Sequence, residues 1–172
     1  MTAMWLRMTV MWAAMMVPMM LPSLVPRLRG RPLRAAAIAA VAYFLVWTIL
    51  GAAVYPPLMW FPVARYAAVV FVIAGAVQLT PWKLRWLERC RIGCAEQPWR
   101  DGLRMGVDCA LCCTGYVLVL LVTGMMNWAA MILVTAAITA ERLLPRPALL
   151  ARAFGVALLV CAAFVTGSPP RM

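Results

Sequence analysis

The 172 residues include no histidine. Histidine is the usual general base near neutral pH and the commonest metal ligand. Its absence disfavours a catalytic zinc site, a histidine-ligated haem and a Ser-His-Asp hydrolase. Acids are scarce too, five Asp and Glu against sixteen Lys and Arg, for a net charge of +11. In a soluble protein that excess raises the question of nucleic acid. Here the basic residues flank apolar runs and form no separate basic domain, so nucleic acid is set aside as a partner. A long polar segment is also lacking: charged residues make up 12% of the chain and the hydrophobic set 66%. No small-residue cleavage site follows the apolar stretch around Arg7, so the N-terminus is not read as a removable signal peptide.

What remains are apolar runs close to the length of a bilayer crossing. They predict an all-α fold, a polytopic membrane helix bundle with both termini outside, in which residues 1–172 form a single integral membrane domain. The six expected transmembrane helices cover about 4–22, 35–55, 63–80, 103–126, 128–143 and 149–167. Pro18 and Pro22 are expected to bend or end the first. Trp47, Tyr55, Trp60, Phe61 and Tyr66 are expected in an aromatic belt at the outer ends. Six spans bring the three basic connections to one side: Arg27, Arg29, Arg31 and Arg34; Lys83, Arg85, Arg89, Arg91, Arg100 and Arg104; and Arg142, Arg146 and Arg152. Thirteen of the sixteen cations lie in these connections, which the positive-inside rule assigns to the cytoplasm. The expected location is the bacterial inner (cytoplasmic) membrane.

The chemistry concentrates in residues 101–142. On an ideal helix from Asp101, positions Met105, Cys109, Cys112, Cys113 and Tyr116 share one stripe. Three thiols and a thioether then converge, and soft sulfur ligands suit Cu(I), Zn or iron–sulfur clusters. Three thiols on adjacent helical turns fit a cluster poorly. The first span adds Met4, Met8, Met11, Met15 and Met19 along one side, with Met16 and Met20 beside them. Such a stripe is more often packing than a ligand set. Counting inward from the cytoplasmic ends puts Cys109 to Cys113 roughly 9 to 15 Å deep, level with Met15 and Met16. Asp108 and Glu141 lie in the same half of the membrane, and an ionisable group there is by default functional. Each weighs evenly between a structural ion pair and a carboxylate that supports the ligands or accepts a proton. Cys90 and Cys94, among arginines, read either as reactive thiols or as plain reduced surface cysteines. Cys161 reads as a small core residue.

Three segments together, MWAAMMVPMMLPS at 11–23, AGAVQLTPWK at 74–83 followed by Cys90 and Arg91, and GLRMGVDCALCC followed by GMMNWAAM and Glu141, resemble the DUF2182 family. Its members are described as predicted metal-binding integral membrane proteins and sometimes as copper chaperones. The resemblance covers residues 11 to about 145. It implies that Met15, Met16, Met19, Met20, Cys109, Cys112, Cys113, Met126, Asn127 and Glu141 belong to the shared pattern. Met105 stands where the family is expected to have His, and Arg142 where Lys is usual. Without that His, Cu(I) is favoured over Cu(II) or Zn.

The leading expectation is a membrane-embedded protein that binds and transfers Cu(I) through a Cys/Met site. Its ligands are Cys109, Cys112, Cys113, Met105, Met15, Met16, Met19 and Met126, with Asp108, Glu141 and Asn127 behind them. Its partners are the lipid bilayer and a metal donor or acceptor protein or larger membrane complex. Nothing in the residues demands catalysis. Two alternatives stay open: a non-catalytic scaffold or assembly subunit packed through Gly51, Gly75, Gly115 and Gly124, and a membrane thiol oxidoreductase.

Overall fold

Prolines and glycines punctuate the chain into helices. The computed structural model describes residues 2–60, 63–91, 97–124 and 127–167. Among them all regular structure is helical: α1 Thr2–Leu28, α2 Leu33–Trp60, a 3-10 turn Val63–Tyr66, α3 Ala67–Leu79, α4 Pro81–Arg91, α5 Pro98–Cys112, α6 Thr114–Thr123, α7 Trp128–Leu143 and α8 Pro147–Gly167. The all-α expectation is met. Six spans are not.

Among the described residues, three helices are long and apolar enough to cross a membrane, at Met4–Leu28, Leu33–Val54 and Pro147–Val165. The count rises to five if α3 with α4 and α5 with α6 each form one bent span, the bends being 64° and 62°. Helix α7, expected as a span of its own, has only 16 residues, short of the roughly 20 that a crossing needs. The first bend is written in the sequence. Pro81 pushes the residue before it out of the helical region, and Thr80 is extended at φ −74°, ψ 146°. Pro81 then opens α4, where a missing N–H costs nothing. The second bend falls at Cys113, whose φ −94°, ψ 2° lies outside the helix, so the straight helix expected over 103–126 is in fact two.

Two further expectations change. Helix α1 carries Pro18, Pro22 and Pro26 in its interior and still runs to Leu28, because a helix packed among others tolerates the lost bonds. Gly30, at φ 85°, adopts the left-handed conformation that lets the chain turn out of α1. Residues 81–91, expected as part of the second basic connection, form α4, with Lys83 and Leu87 one turn apart and both buried.

The chain divides into two compact units. The first comprises residues 1–61 and 88–111, built on α1, α2 and most of α5. There the Trp12 indole N–H donates to the Trp47 carbonyl at 3.0 Å. Trp47 is wholly buried, a core residue and no part of an aromatic belt. Helix α5 meets α2 at Gly102, where the Ala39 carbonyl occupies the space of the missing side chain, and at Gly106, against Tyr43 and Val46. Arg31 and Asp101 pair at 2.5 Å. The second unit, residues 62–87 and 112–172, holds α3, α6, α7 and α8. Its close contacts run through small residues, Gly75 against the Gly155 carbonyl and Gly115 against that of Ala74, as in helix packing within lipid. Many large apolar side chains face outward from α1, α2 and α8, including Leu6, Val41, Ile49, Leu149 and Phe164. Large exposed apolar areas are uncommon on soluble monomers, whereas a bilayer accommodates them.

Candidate metal centre

Helical spacing puts the sulfur atoms on inward faces. Met15, Met16, Met19 and Met20 of α1 are buried, as are Met105, Cys109 and Cys112 of α5 and Cys113 at the bend. In the first unit Cys109 Sγ lies 3.8 Å from Met20 Sδ. The Tyr43 hydroxyl donates to the same sulfur at 2.8 Å. The contact from α1 is therefore made by Met20, one helical turn past Met16, a residue that depth counting alone did not pick.

In the second unit Cys112 Sγ and Cys113 Sγ lie 3.7 Å apart. Arg142 reaches across from α7, its Nη2 donating to Cys112 at 3.2 Å and to Cys113 at 3.6 Å. The single stripe expected from Asp101 to Tyr116 is interrupted by the break at Cys113, and each unit holds one close sulfur pair. Among the described residues, no group of three or more His, Cys, Asp or Glu side chains is arranged to hold one metal ion.

Glu141 does not stand near the thiols as a bare carboxylate. It accepts the Tyr116 hydroxyl at 2.6 Å and pairs with the Lys83 ammonium at 3.0 Å. Lys83 also donates to the Gln78 side-chain oxygen and lies 4.7 Å from the centre of the Tyr116 ring. All four residues are buried, Lys83 completely. Lys83 and Arg142, expected in the basic connections, are both buried inside the second unit. One signal was available for Arg142. On α7 the buried positions Val134, Ala137, Ile138, Glu141 and Arg142 follow helical spacing, so the apolar stripe ends in a pair of charges. For Lys83 and Gln78 the signal was their place within the segment AGAVQLTPWK.

Asp108 is buried on α5. Asn127 caps α7, its side-chain oxygen accepting the Ala130 N–H at 3.2 Å. Met126 and Cys94 lie outside the described residues, as does the side chain of Cys90. Cys161 is exposed on α8, so it is not the core residue expected. The family model described as PpoB2, copper chaperone, matches residues 3–165. No curated protein and no solved structure matches the chain.

Proposed function

Because the chain belongs to the PpoB2 family of copper chaperones, we propose that it binds Cu(I) as cargo through its buried sulfur pairs and passes the ion on by exchange of ligands. One observation carries this reading: Cys109 with Met20, and Cys112 with Cys113, are sulfur pairs separated by 3.8 and 3.7 Å. Metal–sulfur bonds of about 2.3 Å, as thiolates make with zinc, are long enough for two such atoms to clasp one ion between them. Thiolate and thioether sulfur select Cu(I) over harder cations, and a ligand set without histidine favours the reduced ion.

Each pair has a polar group in attendance. Tyr43 holds Cys109 in place. Arg142 brings a positive charge against Cys112 and Cys113, which offsets the negative charge of a thiolate away from water. Met105, Met15, Met16 and Met19 supply further buried thioethers in the first unit, with Asp108 near them in sequence. Met126 is kept as a candidate ligand on the strength of the resemblance. Lys83 and Tyr116 occupy Glu141, which serves as a charge anchor for α7 rather than as a ligand.

The proposed location is the bacterial inner membrane with the basic connections in the cytoplasm, where a donor or acceptor protein exchanges the ion. The deciding measurement is copper content after Cu(I) loading under reducing conditions in detergent. Wild type should retain stoichiometric copper. Met20→Leu with Cys109→Ser, and separately Cys112→Ser with Cys113→Ser, should each lower the affinity at least about tenfold, the scale on which metal sites respond to losing even a supporting group. Undiminished copper in a variant lacking all three thiols would defeat the assignment.

A further inference from the structure

In the first unit α2 and α5 run in the same direction, since Gly102 sits on Ala39 and Gly106 on Tyr43. The Arg34 end of α2 therefore lies beside the Arg100 end of α5. Along this seam an open groove of about 430 Å³ is lined by apolar side chains only, among them Ile38, Val41 and Leu45 of α2 and Trp99 and Leu103 of α5. Positions 34, 38, 41 and 45 recur at helical spacing, so Arg34 stands on the groove face of α2, one turn beyond Ile38. The Arg100 guanidinium carbon lies 5.4 Å from the centre of the Trp99 ring. Arg34 and Arg100 are both exposed, and among the described residues neither is in an ion pair. The nearest acid in sequence, Asp101, is already paired with Arg31.

We propose that this groove is an anionic phospholipid site, with one acyl chain along Ile38, Val41, Leu45 and Leu103 and the headgroup phosphate taken by Arg34 and Arg100. The occupant follows from charge complementarity. A groove with hydrocarbon walls and two guanidinium groups at one end matches a molecule that is apolar along its length and anionic at its tip. Arginine supplies the forked donors that suit a phosphate. Trp99, at the junction, has the amphipathic ring that settles at headgroup level. An apolar partner helix would fill the groove and leave the arginines without an anion. The site rests on the membrane reading above and is independent of the copper reading.

Native mass spectrometry from a neutral detergent, with phosphatidylglycerol and phosphatidylcholine supplied equally, tests it. Wild type should retain phosphatidylglycerol preferentially, by about fivefold for each arginine. R34Q/R100Q should lose the preference yet still retain both lipids and load copper as wild type does. Ala37 also lines the groove, and Ala37→Trp, which fills it, should lower retention of both lipids. Equal retention of the two lipids by wild type, an unchanged preference in R34Q/R100Q, or a second polypeptide held in place of lipid would overturn the proposal. Alkaline extraction of native membranes separates the two readings. Protein that leaves the membrane defeats the membrane reading itself, whereas protein that stays but shows no preference defeats the lipid site alone.

Discussion

A lysine taken wholly out of water costs several kcal/mol unless a counter-charge and hydrogen bonds meet it. Lys83 has both, with Glu141 at 3.0 Å and the Gln78 oxygen as a second acceptor. Glu141 in turn takes the Tyr116 hydroxyl. Removing one partner strands the other, so Lys83→Met or Glu141→Gln should each destabilise the protein by about 3–5 kcal/mol. The double variant should recover much of that loss. Thermal unfolding in detergent checks this, and single variants as stable as wild type would show that the pair is not what holds these helices. At this scale the sequence was half legible. An acid at position 141 within an apolar run announced itself, but a lysine two residues after Pro81, among arginines, looked like a loop cation. The same ambiguity hid Arg142. Whether a charge at the edge of an apolar segment points to water or inward depends on a partner far away in the chain.

Close approach of helix backbones sets the geometry of each element. At Gly102 an added Cβ would fall on the Ala39 carbonyl, which is backbone and cannot swing aside. Gly102→Ala should therefore part α5 from α2 and cost about 1–3 kcal/mol, read as a fall in the melting temperature. A Gly102→Ala protein as stable as wild type would mean that the two helices can slide at no cost. Because the same contact positions Tyr43 beside Cys109, the loss should be felt at the sulfur pair as well. Helices α1, α2 and α8 were readable from their apolar runs alone. The bend at Thr80 and Pro81 follows from proline chemistry, though its outcome, a helix and not a loop beyond it, needed the buried face made by Lys83 and Leu87. The break at Cys113 carries no proline or adjacent glycine pair to announce it. It coincides with the reach of Arg142 to Cys112 and Cys113, a contact between helices rather than a local preference.

For the whole molecule, charge distribution is the guide to orientation. With Lys83 and Arg142 buried, the positive-inside argument rests on the remaining arginines of the connections, chiefly Arg29, Arg31 and Arg34 between α1 and α2. Leu33, exposed at the start of α2 just after that turn, provides the test. A lone cysteine introduced as Leu33→Cys in a variant without native cysteines should react with a membrane-impermeant reagent only after the inner membrane is opened. Labelling of intact spheroplasts would reverse the orientation. Run length and composition by themselves determined that this chain is helical and suited to lipid, because backbone groups in hydrocarbon must find their bonds within their own helix. The methionines and cysteines, too, were visible as soft ligands in a chain without histidine. Only the tertiary structure decided how those sulfurs pair and which charges leave water. Cys109 meets a methionine 89 positions away and Cys112 an arginine 30 positions away, and such contacts follow from how segments pack, which no local periodicity encodes.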